Sequence, residues 1–271
     1  MNTSEGITIL YDGITRHPSL KPDWGYSALV EFAGRRILFD TGNNAEILSG
    51  NCAALGVDLT QLDCVVLSHR HWDHTAGLKH LLQINPSLPV NAPADEFFCI
   101  ETPRGFFAQS DGLPTHYRYF SGEIPASVPH GTPWQQANLR MVDKPVWMGS
   151  RILLLPVMPG PGTADPMNEL SLALVTEKGV TLIVGCSHAG IERHISALRD
   201  VLPGEPLRRI VGGLHLLGMK EEPLSETVQN LVETGAELCI GHCTGEAAFS
   251  ALLQRAPEKM VYAGAGEFLA L

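Results

Sequence analysis

The segment LSHRHWDHTAGL, residues 67–78, constrains this chain more than any other stretch. Three histidines and an aspartate fall within positions 69–74, in a chain where only 18% of residues are charged. His69, His71, Asp73 and His74 offer imidazole nitrogens and a carboxylate, the donors that divalent metals take. The run before them, LDCVVLS, is short, apolar and valine-rich, and reads as a buried strand over 62–68. The run after them, TAGLKHLLQIN, places Leu78, Leu81, Leu82 and Ile84 at helical spacing and predicts a helix from about residue 75. The cluster therefore sits on a strand-to-helix loop, where chemistry tends to collect. While the chain is still extended, residues two apart point the same way, so His69 and His71 can reach one metal. Asp73 and His74, at the turn into the helix, face another direction. One loop can feed two adjacent metals. The alternative is a plain surface loop.

The rest of the chain predicts α/β layers. Residues 7–12, 26–32 and 35–40 read as strands, with Gly34 at a hairpin-like turn between the last two. The third ends in FDTG, which puts Asp40 at a strand end before a tight turn. NAEILSGNCAALG follows as a helix with a glycine stop. Strands resume near 151–157, 170–176 and 180–185. The strands LRRIVGG and AELCIG then alternate with the helices ERHISALRDVL, SETVQNLVETG and EAAFSALLQRA. Ser225 is expected to cap the second of these helices and Gly235 to stop it. The length of 271 residues suffices for one large domain or two small ones. No apolar stretch reaches membrane-spanning length, and the first residues lack the basic-then-apolar pattern of a secretory signal.

Residues 85–150 differ in character. They are rich in proline and aromatic residues and too long for a bare loop. This insertion is expected to form a lid or wall over a pocket, or a surface between copies in a homo-oligomer. Trp134 and Trp147 fit that role or ordinary packing equally well. The formal net charge is −10, which argues against generic nucleic-acid or anionic-membrane binding. The spacing of the six cysteines resembles neither a zinc finger nor a disulfide framework, so a reducing, cytoplasmic setting is expected. Cys52, Cys64, Cys99 and Cys239 lie among apolar residues and read as small buried hydrophobes. Cys186 and Cys243 stand apart, since each is close in sequence to a histidine. Three strand ends in the second half carry a histidine: His188, His215 and His242. One such residue is usually structural. Three of them, with the 69–74 loop, predict a site at the strand ends.

With His69, His71, Asp73 and His74 matching an HxHxDH pattern, and FDTG one helix upstream, the chain resembles the metallo-β-lactamase superfamily over nearly its whole length. That resemblance implies a single αββα sandwich domain over 1–271, with the insertion at about 85–150 and metals at one edge between the sheets. It implies two divalent ions, zinc foremost, with iron or manganese as alternatives. One departure concerns the histidine that many members carry in a PGHTxG-like loop. Pro161 stands in its place, and Cys186 stands where a bridging aspartate is usual. The motifs GEIP (Gly122 to Pro125), Glu169, GCSHAGI (Gly185 to Ile191), GGLHL (Gly212 to Leu216) and HCTG (His242 to Gly245) are similar to a branch labelled as dihydropterin-linked ribofuranosylaminobenzene phosphate synthases.

By the family's pattern, one metal takes His69, His71 and His188, and the other takes Asp73, His74 and His242. Cys186 bridges or sits just behind, and His215 is a further ligand or a donor to substrate. Asp40 braces the histidine loop, or is simply a polar strand-end turn. Two such metals share and acidify a water, so that hydroxide forms near neutral pH and Asp73 can take its proton. The implied activity is hydrolysis of a small-molecule ester, lactone, thioester or phosphoester. A di-iron redox protein, a methanopterin-type synthase and a metal-bound ligand sensor with little turnover are the alternatives. His17, His80, His116, His130 and His194 are left outside the site, with His116 and His130 in the insertion where they could line a pocket.

Overall fold

In the computed structural model the described residues are 5–95, 98, 114, 118, 123, 137–161, 163 and 166–271. Among them the chain builds two sheets. The first takes β1 (Gly6–Tyr11), β2 (Ser27–Phe32), β3 (Arg35–Phe39), β4 (Cys64–Val66), β5 (Pro89–Pro93) and β6 (Asn138–Val142) in sequence order. It is completed at the β1 edge by β13 (Phe268–Ala270). The second takes β7 (Val146–Trp147), β8 (Ile152–Val157), β9 (Glu169–Thr176), β10 (Gly179–Val184), β11 (Leu207–Gly213) and β12 (Glu237–Gly241), again in order. The pairing changes from antiparallel to parallel after β3 in one sheet and after β10 in the other.

Alternation along the strands explains the layering. Ile7, Ile9, Val30, Ile37, Phe39 and Val66 of the first sheet meet Leu154, Leu172, Leu174, Ile183 and Val211 of the second in one core. The residues between them face outward and are covered by helices. On the first sheet Leu29, Leu38, Val65 and Val90 pack under α1 (Ala45–Ala54) and α3 (Leu78–Ile84). On the second, Leu182, Val184, Ile210 and Leu238 pack under α4 (Ile191–Val201), α5 (Glu221–Glu233) and α6 (Glu246–Arg255). The result is the αββα order that the resemblance implies.

Three details depart from expectation. A short helix, α2 (Trp72–Thr75), begins inside the histidine cluster, earlier than residue 75. It starts there because the carbonyls of Asp73 and His74 are taken by Tyr26, Thr41 and the Thr41 hydroxyl, so tertiary contacts set the turn. Ser225 does not cap α5. That helix starts at Glu221 with no side-chain cap. Pro223 lies in its first turn, where a missing N–H costs nothing, and Glu221 and Glu222 complement the helix dipole there. Of the 85–150 stretch, residues 89–93 and 138–142 are strands of the first sheet and 146–147 an edge strand of the second. Trp147 lies in that edge strand, whereas His116, His130, Trp134, Cys99 and most of GEIP fall outside the described residues. Among the described residues, no helix is long and apolar enough to cross a membrane.

Candidate metal centre

The site forms where five strand ends converge. β4 delivers Ser68 and His69, the chain bends at His69 and Arg70, and His71 is extended before α2 turns. β3 ends at Asp40, which takes a positive φ of 58° and turns its carboxylate under the histidine loop. In the second sheet β10, β11 and β12 are parallel neighbours with aligned ends, Val184 opposite Gly212 and Gly213 opposite Gly241. The residues that follow, Cys186 to His188, His215 and His242 to Cys243, are therefore brought side by side. Ser187, His215 and His242 also have positive φ, of 62°, 50° and 48°. Left-handed backbone in non-glycine residues costs about 1 kcal/mol or more each and collects where a site needs it.

Two donor triads result. His69, His71 and His188 form one, and Asp73, His74 and His242 the other, with the donor atoms of each triad within 4.8 Å of one another. The His188 ring centre lies 4.9 Å from that of His69 and 4.6 Å from that of His71. Asp73 Oδ2 is 3.3 Å from His242 Nε2 and 3.6 Å from His74 Nε2. Cys186 lies between the triads, its Sγ 3.1 Å from His74 Nε2. Pro161 contributes no donor and is exposed. His215 joins neither triad. Its ring is 4.0 Å from that of His188, and its donor atom groups with the sulfurs of Cys186 and Cys243.

Asp40 fixes which nitrogens face inward. Its Oδ1 accepts the Ser68 N–H at 2.7 Å, and its Oδ2 accepts the Ser68 hydroxyl at 2.6 Å. A hydroxyl has one proton to give. Having given it to Asp40, Ser68 Oγ must accept at His69 Nδ1, 2.8 Å away, so His69 carries its proton on Nδ1. His74 Nδ1 lies 2.7 Å from the same Oδ2 and must also donate. Both rings thus turn an Nε2 lone pair into the site. Asp40 is fully buried, which strengthens these bonds.

The electrostatics agree at His69 and His188; at His74 burial lowers the pKa, but the charge and hydrogen bond of Asp40 outweigh it and raise it, favouring the charged ring until an ion displaces the proton. Burial, reinforced by the surrounding imidazoles, holds His69 well below its ordinary pKa and moves His188 down to about 4. Both are neutral near pH 7 and able to ligate. Burial opposes the ionised form of Asp73, but the hydrogen bond and charge of His242 and the charge of His74 outweigh it and hold the carboxyl well below the usual range. Among the described residues, His69 Nε2 and His188 Nε2 are buried with no hydrogen-bond partner. A buried polar atom without a partner costs about 1–3 kcal/mol, and a divalent ion would satisfy both. The donor set, imidazole and carboxylate with a thiol beside them, fits zinc-type ions.

Sequence reasoning passed over Ser68 and Asp12 and left Glu169 and Cys243 without a role. Ser68 sets the His69 tautomer and is its immediate neighbour. Asp12 accepts the His242 N–H at 3.0 Å. It closes the run ILYDG, the same strand-end signal as FDTG, and burial pushes it up to about 7. Glu169 stood out only as a motif residue. It accepts the Ala189 N–H at 2.8 Å and lies 3.1 Å from His194 Nε2, whose Nδ1 meets Ser171 Oγ at 2.7 Å. It holds the turn that presents His188. Cys243 was noticed beside His242, but nothing local showed that it meets Cys186.

Comparison with known proteins agrees with this architecture. The chain is 28% identical to the 7,8-dihydropterin-6-methyl-4-(β-D-ribofuranosyl)-aminobenzene-5′-phosphate synthase of Methanocaldococcus jannaschii, over 92% of this chain and 91% of that protein. It is 37% identical to a hydroxyacylglutathione hydrolase of Klebsiella pneumoniae, but over only 25% of each chain. A crystal structure described as a metal-dependent hydrolase of the beta-lactamase superfamily superposes with a TM-score of 0.76 at 24% identity, covering 98% of this chain and 99% of that one. The family model for the metallo-beta-lactamase superfamily matches residues 21–202. This chain belongs to the metallo-β-lactamase superfamily.

Proposed function

We propose that this protein is a binuclear metal-dependent hydrolase of a small-molecule ester, lactone, thioester or phosphoester. The observation that carries the reading is the pair of adjacent donor triads with their unpartnered buried nitrogens, His69 Nε2 and His188 Nε2. In this reading His69, His71 and His188 hold one ion, and Asp73, His74 and His242 hold the other. Such a pair supplies an activated water and a positive field for the charge that develops on oxygen.

The protein's own groups do the rest. Asp40, directly at His74 and through Ser68 at His69, keeps both lone pairs pointed inward, so no reorganisation is needed when a ligand arrives. Asp73, ionised and half-buried, is placed to accept a hydrogen bond from a water at the site and so orient it. Asp12 and Glu169 steady the two turns that bring His242 and His188 across from the other sheet. The test is metal analysis of replete protein together with a panel of lactones, thioesters, phosphomonoesters and phosphodiesters. About two ions in the triads and turnover of one class, lost in His69→Ala, supports the reading. Metal binding without turnover of any class would turn it toward a sensor. A second reading, a synthase acting on a ribofuranosyl phosphate, is favoured by the 28% identity to the M. jannaschii enzyme over 92% of this chain.

A further inference from the structure

The hydrolase reading leaves Cys186, His215 and Cys243 without a shared role. We propose that these three form a third metal position, a thiolate-rich corner that takes a thiophilic divalent ion of the zinc type. It lies beside the two histidine–aspartate positions and goes beyond them.

Placement is the first argument. β10, β11 and β12 end in register, and each supplies one donor just past its end. The two sulfurs and the His215 nitrogen lie within 4.8 Å of one another. Two thiolates and an imidazole are the donors zinc takes in its sulfur-bearing sites, and thiolate selects thiophilic ions over magnesium or calcium.

Construction is the second. Three hydrogen bonds between the loops fix the corner: Ser187 Oγ to the Gly213 carbonyl at 3.1 Å, Leu214 N–H to Thr244 Oγ1 at 3.3 Å, and Leu217 N–H to the Cys243 carbonyl at 3.2 Å. The His215 N–H points at Cys243 Sγ, 3.2 Å away, the support a charged sulfur needs. Gly213 leaves room for that sulfur, since a Cβ there would stand 2.7 Å from it. The positive φ values of Ser187, His215 and His242 flank the three donors. Two buried thiols serving only as small hydrophobes would not need an N–H aimed at one of them.

The experiment is an anaerobic cobalt(II) titration of the full chain, reduced beforehand with a phosphine. Wild type should bind about three ions, the added one developing thiolate-to-cobalt charge-transfer absorption in the near ultraviolet. Cys243→Ser should bind about two and lose most of that absorption. His215→Asn is the second variant, at an exposed position whose left-handed backbone asparagine tolerates. It should weaken the thiolate-associated step by about 100-fold or more, as even losing a partner behind a ligand costs ~10–100-fold, and leave the other two steps intact. A wild-type stoichiometry of two, or an absorption that survives Cys243→Ser undiminished, overturns the proposal while leaving the two triads standing. Absence of any tight cobalt binding would instead overturn the binuclear reading as well.

Discussion

Asp40→Asn is a nearly isosteric change with a large expected effect. Asparagine accepts a φ of 58° without added strain, so the backbone should stay. The remaining amide oxygen can still accept the Ser68 N–H. The amide nitrogen then occupies the place of Oδ2, facing the Ser68 hydroxyl and His74 Nδ1. Both must now accept where they donated. The Ser68 proton turns toward His69 Nδ1, and His69 must carry its own proton on Nε2. His74 does the same. Each triad loses an inward lone pair. Removing the hydrogen-bond partner behind one ligating histidine typically lowers affinity ~10–100-fold, which is ~1.4–2.7 kcal/mol. Here one histidine in each triad is affected, so both ions should weaken by that amount. The fold itself should lose ~1.5–3 kcal/mol, the worth of a charge-assisted hydrogen bond. Chelator-competition titration reads the affinity, urea unfolding of the metal-free protein reads the stability, and imidazole nitrogen NMR reads the tautomers. Wild-type affinity at both triads, or His69 and His74 still protonated on Nδ1 in the variant, would refute the tautomer argument.

Other perturbations address the same centre. His188→Ala should remove one ion and abolish turnover, whereas Cys186→Ser should keep the ions of both triads, as elemental analysis and a substrate assay will show. Gly185→Ala puts a Cβ 2.0 Å from Ser68 Oγ. It should cost ~1–3 kcal/mol as overpacking and lower metal content together with stability, and unchanged metal content would count against Ser68 as the tautomer relay. In the metal-free protein, His69 and His188 have folded pKa values below the ordinary 6.5. The unfolded chain therefore takes up their protons first. The stability this represents is present above about pH 6.5 and lost as the pH falls toward about 4, up to ~3 kcal/mol for His188. Urea midpoints that rise as the pH falls from about 6.5 to about 4, in the presence of chelator, would contradict the assignment. Glu169→Gln keeps an oxygen for the Ala189 N–H but not the charge facing His194. It should lower occupancy of the His188 triad by ~10-fold or more with the Asp73 triad little changed, measurable by competition with a chromogenic chelator.

Much of this was legible in the sequence because its signals are local. Valine-rich runs gave the strands, and the two-residue spacing of His69 and His71 gave a shared target. Glycine-punctuated strand ends marked His188, His215 and His242. The rest depends on contacts between distant parts of the chain. Nothing near Glu169 in sequence says that its partner is the 185–190 turn. Nothing near Cys243 says that β10 and β12 will end level with β11. The start of α2 at Trp72 follows from Tyr26 and Thr41 taking carbonyls of the histidine turn, which no propensity of WDHT encodes. At α5 the expected cap, Ser225, lies inside the helix, because the chain turns helical already at Glu221 and Pro223 is tolerated in a first turn.

Among the described residues each sheet is assembled from one half of the chain, with only β13 crossing back, and each donor triad draws from both. The triads thus join parts of the backbone that the sheets themselves never pair. Closing so long a loop costs entropy that rises only slowly with its length, so ions held there would act as a clasp, adding to the apolar core and to the few hydrogen bonds that already join the sheets, such as Leu170 N–H to the Ser68 carbonyl at 2.7 Å. Metal loss should then be felt unevenly. Amides at the clasped edge, near Ser68 and Gly185, should exchange with solvent through a small opening in which the two sheets part there. Amides deep in the shared core, such as those of Val30 and Leu172, should still wait for global unfolding.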